Sequence, residues 1–387
     1  MHLNILLFVL LTIQTGTYHN TGGGLGNSQL RFERDKTGTV AFLGGSITQN
    51  GGWRDSICNY LQKKFPETQF TFISAGISSM GTTPGAFRLD RDVLSKGPVD
   101  LLFEEAAVND ATNGRSSDEQ IRGMEGIIRH TLMANPATDI VVMHFVDQEK
   151  MKTYNRGEVP EVIRNFDLVS THYNVGSINL ALEVTERINR GEFNWEDDFK
   201  DVHPSPFGQS IYFRSMKAFL EEAYSMPLSG NEQITPHQIP DAMDPFSYDR
   251  GEIIPFTEAS DIKGFKLQPK WSPAGNYGTR QGYTEVDMLL GEDAGDSFTL
   301  HFEGRAVGIM VAAGPDAGMI EYSIDGGEIQ KADLFTRWSQ QLYLPWYLTL
   351  AAELDRGSHT LELKISCDKN PDSSGNSCII KAFYINK

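Results

Sequence analysis

Between residues 38 and 225, short runs dominated by apolar residues alternate with stretches of helical spacing. The runs at 40–43, 70–73, 99–103 and 140–143 lack regular polar alternation, the pattern of strands buried on both faces of a parallel sheet. Between them, apolar positions recur at helical spacing over 54–65, 85–94 and 118–133; the last is preceded by Ser116 and Ser117 with Glu119 nearby, a helix-start signal. Three such alternations predict an α/β fold: a three-layer αβα sandwich on a parallel, flavodoxin-like sheet. Further helical regions over 159–188 and 206–224 close this unit, which is expected to span 36–227.

The pattern then changes. Residues 228–250 hold three of the 17 prolines and little periodicity, which reads as a linker packed on a surface. From 251 to 387 the apolar runs are short and strand-like, separated by turn signals such as Asp325-Gly326-Gly327 and Arg356-Gly357, with no helix of ordinary length. This predicts an all-β sandwich or jelly roll. Trp271, Trp338, Tyr343, Trp346 and Tyr347 are concentrated here. Flat aromatic faces can stack on sugar rings, but core packing is the commoner use of any one of them.

A length of 387 residues accommodates both units, and 34 basic against 51 acidic residues leave a net charge of −17. Without a local basic stripe, such a surface repels a nucleic-acid backbone, and none is found. The nine-residue apolar run at 5–13 is too short for the ~20 residues of a membrane span and suits a signal-peptide core, with a buried N-terminal strand as the alternative. Residues 1–17 are therefore expected to be a signal peptide and the protein to be exported, periplasmic or secreted, with no stable membrane insertion. In an oxidising compartment, Cys367 and Cys378, which flank a turn-rich stretch, are expected to form a hairpin disulfide.

Ligands of such a sheet bind outside the carboxyl ends of its strands. The first strand runs into Gly44-Gly45-Ser46, which would put a hydroxyl at that edge, and the third into Val108-Asn109-Asp110, whose Asn amide can donate to an anion forming above Ser46. Near the end of the unit stands Asp201-Val202-His203-Pro204. In an extended segment i and i+2 face the same way, so Asp201 can orient His203 while the other ring nitrogen takes a proton from Ser46.

Taken together, these blocks resemble the SGNH, or GDSL-like, hydrolase family, whose motifs occur in this order along one α/β domain. Ser46 in GGSIT matches the nucleophile block, with Gly45 where the namesake motif has Asp; Asn109 in VND and His203 in DVHP match the third and last. In the second block, 74–81, Ser79 stands where the family usually has the Gly whose amide completes the oxyanion hole, and Gly81 or Gly76 is the donor if the loop registers differently. The family usually places Asp three residues before the His, where this chain has Lys200. Either Asp201 serves, or Asp198 or a backbone carbonyl orients the imidazole.

The resemblance implies a serine esterase without metal or organic cofactor. Ser46, His203 and Asp201 would be catalytic, with an oxyanion hole from Ser46, Ser79 or Gly81, and Asn109. Exported members with an added β-sandwich resemble carbohydrate esterases that remove acetyl groups, so the expected partner is an acetylated carbohydrate, with Trp53 and Arg54 as candidate substrate contacts. The alternatives are a lipid or thioester hydrolase on the same site and a catalytically weakened glycan-binding protein.

Overall fold

The computed structural model describes residues 18–387, so the signal-peptide expectation for 1–17 lies outside the described residues. The N-terminal unit is built on a six-stranded sheet of β1 (His19–Asn20), β2 (Thr37–Gly44), β3 (Gln69–Gly76), β4 (Leu101–Glu105), β5 (Asp139–Met143) and β6 (Gly176–Ile178), in the order β1-β6-β5-β4-β2-β3. All neighbours are parallel except β1, which runs antiparallel to β6. The central β4 and β5 are buried throughout, which is why their sequences read as apolar runs without polar alternation, broken only by acids at one end: Glu104 and Glu105 in β4, Asp139 in β5. Helices Thr82–Asp92, Ser117–Ala134 and Glu161–His172 pack side by side, as do Trp53–Lys64 and Pro206–Ala223, so the sheet lies between helical layers.

One predicted element is corrected. The helical region expected over 159–188 is two helices, Glu161–His172 and Leu180–Asn189, separated by β6. Three residues are too few to register as a strand pattern. Gly176 opens β6 where the Phe219 ring would lie 2.8 Å from a β-carbon, so the position excludes the bulky residues that mark strands.

The C-terminal unit has two antiparallel sheets. One contains β7 (Gly251–Pro255), β9 (Lys266–Trp271), β10 (Val286–Gly291), β12 (Ala306–Ala313), β15 (Leu344–Ala351) and β17 (Cys378–Asn386), in the order β15-β12-β17-β10-β9 with β7 also beside β17. The other contains β8 (Ala259–Lys263), β11 (Ser297–Glu303), β13 (Met319–Ile324), β14 (Gln330–Asp333) and β16 (Ser358–Ile365), in the order β14-β13-β16-β11-β8. A core of residues such as Leu300, Ile309, Leu361 and Phe383 fills the space between the sheets. The first sheet turns its other face, with Met310, Tyr347 and Tyr384, onto the N-terminal unit, where a single apolar cluster joins the two. The expected disulfide is absent: Cys367 is an exposed thiol and Cys378 a buried one at the start of β17.

Candidate active site

The carboxyl end of β2 delivers Ser46 through two glycines that only fit without a side chain. A β-carbon on Gly44 would lie 2.6 Å from Oε1 of Glu105, and one on Gly45 would lie 1.9 Å from Oδ1 of Asn109. The two neighbours come from β4, which pairs with β2 in the sheet, and from the helix that follows it. Glu105 ends β4, fully buried, and its Oε1 accepts from the Gly45 N–H at 2.7 Å and the Thr48 hydroxyl at 2.9 Å. Asn109 lies in the helix Ala107–Thr112 that follows. Ser46 opens the short helix Ser46–Gln49.

The Ser46 hydroxyl is 2.7 Å from Nε2 of His203. The segment carrying the histidine turns sharply at Lys200, whose φ of 82° follows the turn Trp195–Phe199. Asp201 Oδ1 accepts from the backbone N–H of His203 at 2.7 Å and lies 3.5 Å from its Nδ1. Asp198 is turned away, its Oδ2 accepting from the Asn194 N–H at 2.9 Å. The Asp201 side chain is 61% exposed, unlike an aspartate buried behind its histidine.

The loop after β3 brings Ser79 to the same place. Its φ is 71°, a left-handed conformation that favours glycine and that the serine adopts under strain. Its carbonyl accepts from Asn113 Nδ2 at 3.0 Å, and its hydroxyl accepts from Arg280 Nε at 3.2 Å. Gly81 lies apart from the cleft: it precedes the helix Thr82–Asp92, and a β-carbon there would lie 1.8 Å from Oδ1 of Asp110. Asp110 is occupied in turn, accepting the N–H and hydroxyl of Thr82.

Ser46, Ser79, Asn109 and His203 line one cleft of about 510 Å³, whose opposite wall is the C-terminal unit, with Arg280, Trp338 and Leu342. Two expected substrate contacts do not reach it. Trp53 is fully buried, edge-on to Phe42 and against Phe145, because it begins the helix Trp53–Lys64 on the side facing the sheet. Arg54 is spent inside the protein, donating to the Thr48 carbonyl at 2.8 Å and to the Ser74 hydroxyl at 2.5 Å.

Sequence reasoning missed four residues around the cleft. Glu105 was signalled only by two acids at the end of an apolar strand; burial pushes its carboxyl up to about 7 against the hydrogen bonds from Gly45 and Thr48. Gln49 ties the nucleophile helix to the Ser79 loop, its Oε1 accepting the N–H and hydroxyl of Ser78, both at 2.7 Å. Arg280 and the cleft-lining role of Trp338 come from a unit whose docking no local pattern reveals.

Residues 42–211 match the GDSL-like lipase/acylhydrolase family. No curated protein matches the chain in sequence. Among solved structures it is similar to a two-domain esterase (CEX) active on acetylated mannans, co-crystallised with mannopentaose, with a TM-score of 0.75 and 19% identity over 95% of this chain and 96% of that one. A second structure of a two-domain esterase (CEX) active on acetylated mannans gives a TM-score of 0.73 and 20% identity over the same shares of each chain. At that identity the likeness shows the fold, in both units. The stretch that carries Ser46, Asn109 and His203 lies within the match to the GDSL-like lipase/acylhydrolase family, and that match supports an ester hydrolase.

Proposed function

We propose that the protein removes acetyl groups from carbohydrates by a Ser-His-Asp acyl-enzyme mechanism. The observation that carries this reading is the 2.7 Å contact between the Ser46 hydroxyl and His203 Nε2 in a cleft walled by both units. Ser46 Oγ attacks the ester carbonyl carbon while its proton passes to His203 Nε2. The oxyanion is held by the Ser46 and Ser79 amides and by Asn109 Nδ2, each donor worth ~3 kcal/mol. Collapse expels the sugar alkoxide, which takes the proton from His203. Water, deprotonated by the same ring, then attacks the acyl-enzyme, and the ring returns the proton to Ser46 Oγ as acetate leaves. Asp201 orients the imidazole and stabilises its charged form.

A short acyl group and a sugar fit a cleft of this size with one aromatic face, Trp338, on the wall opposite Ser46. The structurally similar CEX esterase is active on acetylated mannans, and this chain is proposed to act on an acetylated polysaccharide outside the cytoplasm. No helix among the described residues is long and apolar enough to cross a membrane. The test is acetate release from a panel of acetylated polysaccharides, with 4-nitrophenyl acetate and longer-chain esters beside it. Ser46→Ala should lower kcat by ~10³-fold or more. Hydrolysis unchanged by that substitution would overturn the mechanism, and a preference for long acyl chains would overturn the substrate class.

A further inference from the structure

Resting on that reading, we propose that two adjacent residues of the C-terminal unit, Arg280 and Gln281, are positioning residues for the esterase reaction: they clamp the oxyanion loop and the nucleophile helix in register. Arg280 Nε donates to the Ser79 hydroxyl at 3.2 Å. Gln281 Oε1 accepts from Gln49 Nε2 at 3.0 Å, at the last residue of the helix that Ser46 opens. The other end of that amide, Gln49 Oε1, accepts the N–H and hydroxyl of Ser78. Two consecutive side chains of one unit thus hold both segments that carry proposed oxyanion amides in the other.

The clamp accounts for two features that otherwise stand alone. Ser79 adopts a left-handed φ of 71° although glycine would do so without strain. Glycine, however, has no hydroxyl for Arg280 to hold, so the serine exchanges backbone ease for a tie to the second unit. Arg280 itself is half-buried, pairs with no carboxylate among the described residues, and has its guanidinium pKa lowered by loss of solvent. A cation in that setting is costly unless its hydrogen bonding is used, and the Ser79 hydroxyl is the acceptor it has.

A loop displaced by ~1 Å can cost ~10²-fold in rate, and the loss falls on the step in which charge develops. Acetyl-ester turnover is measured for Arg280→Ala, Arg280→Lys, Ser79→Ala and the Arg280→Ala/Ser79→Ala pair, with the rate at which a fluorophosphonate labels Ser46 and each variant's melting temperature alongside. Arg280→Ala should lower kcat and the labelling rate by ~10- to 10²-fold with KM within ~3-fold, and Arg280→Lys should recover most of the loss. In the Ser79→Ala background, Arg280→Ala should cost less than ~3-fold more, since the tie is already gone.

A rise in KM at constant kcat would make Arg280 a plain substrate contact and overturn the clamp, as would losses that multiply in the pair. If Arg280→Ala fails to fold, Ser79→Ala decides alone: an unchanged kcat and labelling rate overturn the clamp. A wild-type protein whose Ser46 is not labelled would instead overturn the esterase reading itself, an outcome distinct from a labelled protein with an indifferent Arg280.

Discussion

Gly45 shows how one missing side chain organises the site. With Asn109 Oδ1 placed 1.9 Å from where a β-carbon would be, the Asp of the namesake motif and Asn109 in its present position exclude one another. The convergence of Ser46, Asn109 and His203 was legible because each stands just beyond an apolar run or beside a helix start, where the parallel sheet opens. Trp53 was misread because Gly51 and Gly52, at positive φ, place it with the preceding loop, whereas it is the first residue of the helix predicted there, which turns the ring inward. Glu105 was harder to read for the opposite reason: two acids closing an apolar run look like a strand reaching the surface, and only the fold shows Glu105 buried against the Gly45 N–H and the Thr48 hydroxyl. The burial of Glu105 outweighs those contacts and has a pH consequence. Burial raises its carboxyl from 4.5 to about 7, with Lys150 the cation that partly offsets this. The folded state therefore binds the proton more tightly than the unfolded chain, so the stability this confers is full below pH ~4.5 and lost as pH rises through ~7. The shift corresponds to about 3 kcal/mol. Glu105→Gln keeps an oxygen for both donors and cannot ionise. Its melting temperature should gain on the wild type's steadily between pH 5 and pH 8, and parallel curves would show that Glu105 titrates normally.

Elements were legible where their pattern had a cause within the element. The helix Ser117–Ala134 begins where Ser116 and Glu119 announce it, with Glu119 N–H donating to Ser116 Oγ at 3.2 Å and Ser116 N–H to Glu119 Oε2 at 3.0 Å. β12 was harder to interpret. All eight of its residues are buried, so it carries the continuous apolar run expected of a parallel strand although both its neighbours are antiparallel. Its two faces are covered by different partners, the second sheet on one side and the catalytic unit on the other, and no period-2 pattern survives. The helix start also carries a contact between units. Glu119 Oε1 accepts from Arg115 Nη1 at 2.9 Å, while Arg115 Nη2 donates to the Tyr347 carbonyl of β15 at 2.8 Å. Ser116→Ala should cost about 1 kcal/mol, the ordinary value of a helix cap. Glu119→Ala should cost about 3 kcal/mol, because it also leaves the buried Arg115 guanidinium without its carboxylate. Denaturant unfolding of the two variants separates these, and equal losses would mean that the ion pair contributes nothing beyond the cap.

At the scale of the whole molecule, composition reveals two units but not that they are built onto each other. Each unit could be read from its own periodicity; the surface between them is a property of neither pattern. The Phe87 ring of the helix Thr82–Asp92 lies 4.4 Å from that of Tyr384, and a β-carbon on Gly251 would lie 2.7 Å from the Ala86 carbonyl. Arg122 reaches Asp244 and Glu353, and Arg129 reaches Asp249, so the segment read as a linker is pinned to the helix Ser117–Ala134 along its second half. Tyr248 within it is fully buried. Domains joined by small polar interfaces move and unfold separately, whereas a large apolar seam couples them. Separation here would expose Phe87, Met310, Tyr347 and Tyr384 together, an apolar patch that a soluble domain does not tolerate alone. Scanning calorimetry of the full chain should therefore show a single transition with equal van't Hoff and calorimetric enthalpies. Esterase activity should vanish within that transition, since Arg280 and Trp338 leave the cleft when the second unit does. Two resolved transitions, with activity surviving the first, would mean that the units are independent and that the cleft is complete without the sandwich.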